Sequence, residues 1–278
     1  MKTFTKRDSI GNYLTSSRNA NKTIGFVPTM GALHNGHLSL IELARKHCDL
    51  VVCSIFVNPT QFNDPNDLDK YPRTIAADTN LLEQVNCDAL FYPEVSEMYD
   101  GNEQWHLNLG EAEFLLEGKS RPGHYQGVTQ VVYKLFAIIN PDTAFFGQKD
   151  YQQFLMISTM VDLQQLPVKL MMCPIVREAD GLAMSSRNIH LTADDHKHAL
   201  ILSKTLNHVR ENFTINNIQL LQRQAEQMIN NETGVELDYF EIADGDTLRQ
   251  ATKNSDKIVA LVAAKVGKTR LIDNVVLL

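Results

Sequence analysis

Two histidines, His34 and His37, lie three residues apart in the segment PTMGALHNGH, residues 28–37. Gly31 permits a tight turn, and Gly36 permits close approach of a ligand at the start of a helix, where amide groups and the helix dipole favour an anion. Imidazoles at that point can donate hydrogen bonds to phosphate oxygens and, when protonated, offset charge on a departing phosphate. The segment therefore predicts a nucleotide-phosphate site.

Two other interpretations of this pair remain open on the sequence alone. A histidine at a helix start is commonly a cap or a surface residue. A zinc site would need a third ligand, which the neighbouring sequence does not supply. Spacing by itself does not decide between a cap and a ligand contact.

Polar residues also follow a second apolar run, in FVNPTQF at residues 56–62. Asn58 and Gln61 carry uncharged amides, which can bind a small carboxylate or hydroxyl without neutralising it. Because ligands bind outside the carboxyl ends of the strands of an open parallel sheet, we expect these amides to line a small-molecule pocket.

The segment FFGQKDYQQ, residues 145–153, ends another apolar run. Gly147 allows the backbone to approach a ligand, and Lys149 offers a point charge for phosphate. Asp150 and Gln153 have the spacing of a capping box, so Gln153 is predicted with equal weight as a cap and as a ligand contact.

A further segment, MSSRN at residues 184–188, offers two hydroxyls and a guanidinium. Such groups suit a polyphosphate tail, and the alternative is an exposed turn.

Apolar runs alternate with helical patterns over the first 176 residues. Strands of continuous apolar character that alternate with helices predict a parallel sheet covered on both faces, hence an α/β, doubly wound (Rossmann-like) domain. The predicted strands are 23–27, 49–57, 88–92, 143–147 and 167–176. One predicted helix begins at residue 36, and three others span 74–85, 128–139 and 150–166. Residues 63–73, rich in Asp, Asn and Pro, are predicted as a mobile surface loop.

The pattern changes after Val176. Residues 177–188 form a polar segment without a period, followed by a helix from a Thr192 cap, a second helix near 216–231 and then three strand-like runs. This order predicts a smaller C-terminal α+β domain. We therefore expect two domains, residues 1–176 and 177–278.

Composition narrows the class of protein. The chain has 278 residues and a net charge of -7, without a long basic stripe, which disfavours nucleic acid as a partner. It contains no apolar stretch of membrane-spanning length and no secretion signal at its start, so we expect no membrane association and a cytoplasmic location. The four cysteines are irregularly spaced inside apolar segments and are expected to be reduced.

Taken together, these motifs resemble the pantothenate synthetase (pantoate-beta-alanine ligase) family. The matching stretches are PTMGALHNGH, FVNPTQF, SRPGHYQGV, FFGQKDYQQ and READGLAMSSRN, which lie in the family's order between residues 28 and 188. The chain also resembles, more distantly, the nucleotidyltransferases and class I aminoacyl-tRNA synthetases that share the H-x-G-H turn. The resemblance implies an ATP-dependent ligase that joins (R)-pantoate to beta-alanine through a pantoyl adenylate and releases AMP and diphosphate.

The resemblance also implies roles for individual residues. His37 is the expected proton donor, His34 and Lys149 are expected phosphate contacts, and Gln61, Gln153 and, with less weight, Asn58 are expected to hold pantoate or beta-alanine. The implied ATP site consists of Met30, Gly31, Ala32, Leu33, His34, Asn35, Gly36, His37, Gly147, Gln148, Lys149, Asp150, Val176, Met184, Ser185, Ser186 and Arg187. The family implies Mg²⁺ accompanying ATP, with no protein metal site, and a homodimer.

Two rival functions share these motifs. A simple nucleotidyltransferase would keep the nucleotide on its product, and the amide-rich set of Asn58, Gln61 and Gln153 argues against it because it suits a small acid. A nucleotide sensor without turnover would not need two histidines, a lysine and an arginine to stabilise a transition state.

Overall fold

The computed structural model describes residues 1–62, 65–101 and 103–278, and only the backbone of 65–67. The chain divides into two compact units. The first comprises Met1–Gly147 and Gln153–Cys173, and the second comprises Gln148–Gln152 and Pro174–Leu278. These contact-based units differ from the predicted domains at 148–152 and at 174–176. We keep the division into 1–176 and 177–278 as a proposal for the two functional domains.

The first unit contains a sheet of six parallel strands. They are β1 (Lys2–Phe4), β2 (Ile24–Thr29), β3 (Leu50–Ile55), β4 (Ala89–Phe91), β5 (Thr143–Gly147) and β6 (Lys169–Cys173). Their order across the sheet is β1-β4-β3-β2-β5-β6. From β2 the chain adds β3 and β4 on one side and then returns to place β5 on the other side of β2. The carboxyl ends of β2 and β5 therefore flank the topological switch point, where such sheets bind ligands.

Helices cover both faces of this sheet. They are α1 (Arg7–Asn19), α2 (Asn35–His47), α3 (Pro65–Lys70), α4 (Ile75–Gln84), α5 (Val95–Met98), α6 (Leu116–Ser120), α7 (His124–Ile139) and α8 (Tyr151–Leu163). Along β3, Val52 belongs to the core cluster that includes α1 and α7, and its neighbour Val51 belongs to the cluster that includes α2. Alternate residues of a strand point to opposite faces, so β3 is buried on both.

The second unit has its own core. It contains helices α9 (Ala193–Asn212) and α10 (Ile218–Asn230) and an antiparallel sheet of β7 (Val235–Asp244), β8 (Ile258–Val266) and β9 (Thr269–Val276), in that order. The helix α9 begins at Thr192, whose hydroxyl accepts the Asp195 amide hydrogen in a capping box. The predicted fold class, a parallel α/β sheet with a smaller α+β part, is confirmed.

The first unit differs from the sequence prediction in several places, since β6 ends at Cys173 and not at residue 176, and α7 begins at His124 and not at residue 128. The prediction missed β1 and α1, which buries only Ile10, Leu14 and Ser17 along one face. The loop predicted at 63–73 contains the helix α3, so the loop prediction was wrong there. Residues 63 and 64, the first two of the predicted loop, lie outside the described part of the chain. Asp and Asn near a proline suit the first turn of a helix as well as a loop.

The four cysteines are free, as predicted: Cys53, Cys87 and Cys173 are buried and Cys48 is half-buried. Burial raises the pKa of the Cys87 thiol to about 12, which keeps it protonated and unreactive at neutral pH. Among helices of the described ranges, none combines the length and apolar character that a membrane span requires.

Candidate active site

The turn after β2 places His34 and His37 side by side at the start of α2, with their ring centroids 4.1 Å apart. His34 is the N-cap residue. Its Nδ1 accepts the Gly36 amide hydrogen at 3.1 Å, while the His34 amide faces Nδ1 of His37 at 3.4 Å. A backbone amide can only donate, so both Nδ1 atoms act as acceptors. In the neutral rings the proton therefore resides on Nε2 of each histidine.

His34 is therefore a helix cap, as one of the interpretations of the sequence predicted. Capping uses only Nδ1, so the cap holds the ring while Nε2 carries the donor hydrogen. The two roles are therefore compatible, and the helix N-terminus adds its own preference for an anion.

Asp78, on α4, is hydrogen-bonded to the backbone of the same turn. Its carboxylate is 2 % exposed and accepts the amide hydrogens of Ala32 at 3.0 Å and Leu33 at 2.8 Å, together with the Thr74 hydroxyl at 3.1 Å. Ala32 has a φ of +49° and Gly31 a φ of +86°. A residue with a side chain rarely adopts such a φ, so the carboxylate compensates for local strain next to the histidines.

We expect Asp78→Asn to lower the free energy of unfolding by about 2 kcal/mol. The asparagine side chain would place its NH₂ group against either the Ala32 or the Leu33 amide hydrogen, so that one hydrogen bond is lost and two donors face each other. Urea denaturation of the purified protein measures this. Asp69→Asn, at an exposed position of α3, is the matched control and should stay within about 0.5 kcal/mol of the unaltered protein. Equal stabilities of the two variants would contradict this role of Asp78.

The segment after β3 carries Gln61 and Asn58, which lie together. Gln61 is 8 % exposed, and its Nε2 lies 2.8 Å from Sδ of Met30, at the start of the histidine turn. Asn58 is fully buried, and its Nδ2 donates to Oε1 of Gln61 at 3.3 Å. The structure thus brings Gln61 to the predicted site and places Asn58 behind it, where it supports Gln61 instead of facing a ligand.

In the second unit, the backbone that carries Lys149 is fixed by the last strand. Asn274, on β9, is 2 % exposed; its Nδ2 donates to the carbonyls of Gln148 at 2.9 Å and Lys149 at 3.0 Å, and its Oδ1 accepts from Nε2 of Gln148 at 3.1 Å. The neighbouring Asp273 forms a forked ion pair with Arg177 at 2.6 and 3.0 Å. Within the described part of the chain, no carboxylate pairs with the Lys149 ammonium.

The segment 177–188 is more ordered than a polar loop. The Val176 carbonyl accepts the Met184 amide hydrogen at 3.0 Å, Arg177 bridges to Ala183, and Asn188 donates to the Glu178 carboxylate at 2.7 Å. Ser185 caps the short helical turn Ser186–His190 by accepting the Arg187 amide hydrogen. This hairpin fixes the backbone of Met184, Ser185, Ser186 and Arg187, while the Val176 carbonyl is already engaged by the chain.

The remaining predicted residues occupy separate positions. Asn35 and Gly36 form the first turn of α2, Gly147 ends β5, Gln148 and Asp150 form the turn Gln148–Asp150, and Gln153 lies half-buried in the first turn of α8. Burial raises the pKa of Tyr151 to about 12, and its hydroxyl donates to the Gly245 carbonyl at 3.0 Å, which anchors this turn to the second unit.

A cavity of about 340 Å³ opens at the carboxyl ends of β2, β3 and β4. It is lined by Met30, Gly31, Ile55 and Asp78, together with residues 92–95. The volume lies near the lower end of the range for small-molecule sites. Since the histidines and Gln61 do not line it, the cavity marks the binding edge of the sheet and not the whole predicted site.

The family implies Mg²⁺, and the candidate metal cluster among the residues that the structure describes does not suit this ion. Among the described residues, the one cluster of three potential ligands is Glu178, Asp180 and His196. It contains an imidazole, whereas Mg²⁺ prefers oxygen ligands, and His196 already bonds to Asp180 at 2.7 Å. These residues therefore do not fit a resident Mg²⁺.

Sequence reasoning missed Asp78 and Asn274, whose side chains hold the backbone of predicted site residues. Asp78 and Asn274 act on backbone groups far away in the sequence, 45 to 46 and 125 to 126 residues distant. The only available signal was the occurrence of polar residues inside otherwise apolar patterns, and that signal does not identify a partner.

The chain is similar to known proteins over nearly its whole length. The family model described as pantoate-beta-alanine ligase matches residues 2–276. A pantothenate synthetase from Porphyromonas gingivalis is 43 % identical over 277 residues, covering 99 % of each chain. The crystal structure of pantothenate synthetase from Thermus thermophilus superimposes with a TM-score of 0.92 at 38 % identity, covering 99 % of each chain.

A second solved structure carries ligands. It is the pantoate-beta-alanine ligase from Francisella tularensis complexed with beta-gamma ATP and beta-alanine. It matches with a TM-score of 0.82 at 36 % identity and covers 99 % of this chain and 97 % of that one. These likenesses extend over both units of the chain.

Proposed function

The chain belongs to the pantoate-beta-alanine ligase family, and we propose that it joins (R)-pantoate to beta-alanine in two steps, through a pantoyl adenylate. In the first step, the pantoate carboxylate oxygen attacks the α-phosphorus of ATP and diphosphate leaves. In the second, the amine of beta-alanine attacks the pantoyl carbonyl, AMP leaves with the bonding electrons and the amide of pantothenate forms. A free carboxylate is a poor acyl donor, which is why activation comes first.

The observation that carries this proposal is the paired-histidine turn at the switch point of the sheet. Both rings direct their donor hydrogen through Nε2 because both Nδ1 atoms accept from backbone amides. Negative charge builds on the bridging oxygen as diphosphate departs. Each preorganised hydrogen-bond donor that stabilises such charge typically raises the reaction rate by roughly a hundred- to a thousandfold. We assign His37 as the proton donor and His34 as a phosphate contact.

The cations act on the same charge. We propose that Lys149 contacts the phosphates as a point charge and that Arg187, with Ser185 and Ser186, binds the β and γ phosphates. Asn274 fixes the Lys149 backbone, and the 177–188 hairpin fixes that of Arg187. Backbone groups of residues 30–37, of 147–150, of Val176 and of Met184 complete the proposed ATP site.

Gln61 and Gln153 are the proposed contacts for pantoate, and Gln61 is also the proposed contact for beta-alanine. Their amides can bind a carboxylate or hydroxyl without neutralising the carboxylate that must act as the nucleophile. We assign Asn58 the supporting role that its burial indicates.

Three features of the proposal rest on family membership. Mg²⁺ enters bound to the ATP phosphates, the protein is a homodimer, and it works in the cytoplasm. The substrates are ATP, pantoate and beta-alanine, with no nucleic-acid or membrane partner.

Mass spectrometry under non-denaturing conditions tests the function. With ATP and pantoate but no beta-alanine, we expect the protein to retain pantoyl adenylate and to release diphosphate. Adding beta-alanine should then yield pantothenate and AMP in equal amounts. A stable product that keeps the nucleotide after beta-alanine is added would instead support the nucleotidyltransferase alternative.

A further inference from the structure

The orientation of the Asn58 amide is fixed by backbone groups of the first unit. The Thr60 amide hydrogen faces Oδ1 of Asn58 at 3.4 Å, and the Gly127 carbonyl faces its Nδ2 at 3.1 Å. An amide hydrogen must donate and a carbonyl must accept, so a flipped Asn58 would set like groups against each other at both contacts. Oδ1 and Nδ2 of Asn58 are therefore assigned without ambiguity.

The orientation of Asn58 also fixes that of the Gln61 amide. Because Nδ2 of Asn58 faces Gln61 at 3.3 Å, Gln61 presents its Oε1 there and directs its Nε2 toward Met30. The Gln61 donors thus lie on the side of the histidine turn, where a pantoate oxygen would accept them. A rotated Gln61 would present its oxygen to the carboxylate and repel it.

The shortest hydrogen bond to Asn58 comes from outside the predicted site. The Tyr99 hydroxyl donates to Oδ1 of Asn58 at 2.7 Å, and the Thr60 hydroxyl donates to the same atom at 3.2 Å. Burial raises the pKa of Tyr99 to about 12, so this hydroxyl keeps its hydrogen at neutral pH. The Tyr99 ring packs on Phe56, and the Lys134 ammonium lies 5.1 Å from its centroid.

The Gln61 backbone is held independently of Tyr99. His124 is 6 % exposed, and its Nδ1 donates to the Gln61 carbonyl at 2.8 Å. Gly127 allows α7 to lie directly on this turn, since a Cβ there would be 2.3 Å from the Thr60 carbonyl oxygen. The contacts of the Tyr99 hydroxyl are therefore with side chains of this turn and not with the groups that hold the Gln61 backbone.

We propose that Tyr99 is a positioning residue for pantoate: its hydroxyl holds Asn58, and Asn58 aims the Gln61 amide donors at the substrate. The inference rests on the proposed role of Gln61 in pantoate binding. Tyr99 does not touch the substrate in this account. Its hydroxyl gives the shortest of the hydrogen bonds that keep the Asn58 amide in place, so we expect its loss to weaken pantoate binding and to leave ATP binding unchanged.

Tyr99→Phe tests this inference, because it removes only the hydroxyl and keeps the ring contacts. Tyr133→Phe is the matched control: its ring packs on Trp105 at 5.0 Å, and its hydroxyl has no hydrogen bond within the described part of the chain. In a diphosphate-release assay, Tyr99→Phe should raise the KM for pantoate roughly threefold to tenfold. The KM for ATP and the melting temperature should match the control.

The inference is overturned if the pantoate KM of Tyr99→Phe stays within twofold of the unaltered protein. It is equally overturned if the KM values for pantoate and ATP rise together, since that pattern indicates general loosening of the fold.

A double-mutant cycle with Gln61→Ala separates the inference from the function on which it rests. Gln61→Ala alone should raise the KM for pantoate, and adding Tyr99→Phe should change it by less than about twofold more, because the group being oriented is gone. Single-turnover release of diphosphate, followed over pantoate concentration, measures this even in slow variants. If Gln61→Ala leaves the pantoate dependence unchanged, the proposed role of Gln61 fails. If Gln61→Ala raises it but Tyr99→Phe acts equally in both backgrounds, only the positioning role fails.

Discussion

Replacing His37 with alanine is expected to lower turnover by roughly a hundredfold to ten-thousandfold, the range for loss of a general acid or a charge-stabilising donor. The His37 ring accepts one backbone amide hydrogen through Nδ1, so Nε2 of the neutral ring carries the hydrogen that we propose meets the departing phosphate. Steady-state release of AMP measures the effect. Stability should change little, because the ring lies in a polar turn and fills no core.

Two further variants separate the possible roles of His37. Glutamine places an amide nitrogen near the position of Nε2 and donates a hydrogen bond but not a proton, so it should recover part of the rate if charge stabilisation dominates. His47→Ala is the control, since His47 lies exposed at the other end of α2. Near-normal turnover of His37→Ala would remove this residue from the mechanism.

The second large effect is expected for Lys149. Lys149→Ala should slow adenylate formation by roughly a hundred- to a thousandfold, because in the proposed mechanism its ammonium stabilises the charge that builds as diphosphate leaves. Attack of beta-alanine on preformed pantoyl adenylate should change much less, since diphosphate has already departed. Rapid-quench measurement of each half-reaction gives the two rates separately.

The control for Lys149 is Lys169→Ala, at the exposed first residue of β6. It should leave both half-reactions unchanged. Equal losses in both half-reactions for Lys149→Ala would count against a role confined to diphosphate departure and would favour a general effect on the turn that Asn274 anchors.

The sequence predicted those parts of the fold that repeat a simple physical pattern. The run 50–57 is apolar at every position but Ser54 because β3 is covered on both faces, and that burial requires the pattern from which the strand was inferred. The Thr192 cap and Asp195 give α9 a local start signal. By contrast, β1 has three residues and α1 buries only one narrow face, so neither produces a period long enough to recognise.

The residues of the candidate site likewise divide into those with a recognisable local sequence pattern and those without one. The histidine turn was recognisable because glycines, histidines and a helix start fall within ten residues. Asp78 binds two backbone amides, Asn58 binds a backbone carbonyl, and Tyr99 binds the side-chain amide of Asn58. In each case the fold brings the partner near from a distant part of the sequence. Such partners have no residue-type signature, so the supporting layer of the site became visible only in the structure.

Exchange of labelled diphosphate into ATP tests the two-step mechanism, because exchange requires a reversible first step with a free-standing adenylate. The account predicts exchange with pantoate present and beta-alanine absent, and none when pantoate is omitted. Arg187→Ala should slow this exchange, and Arg187→Lys should restore it only in part, because a point charge does not reproduce the planar fork of the guanidinium. Exchange that instead requires beta-alanine would show that no separate adenylation step exists, and the two-step mechanism would be contradicted.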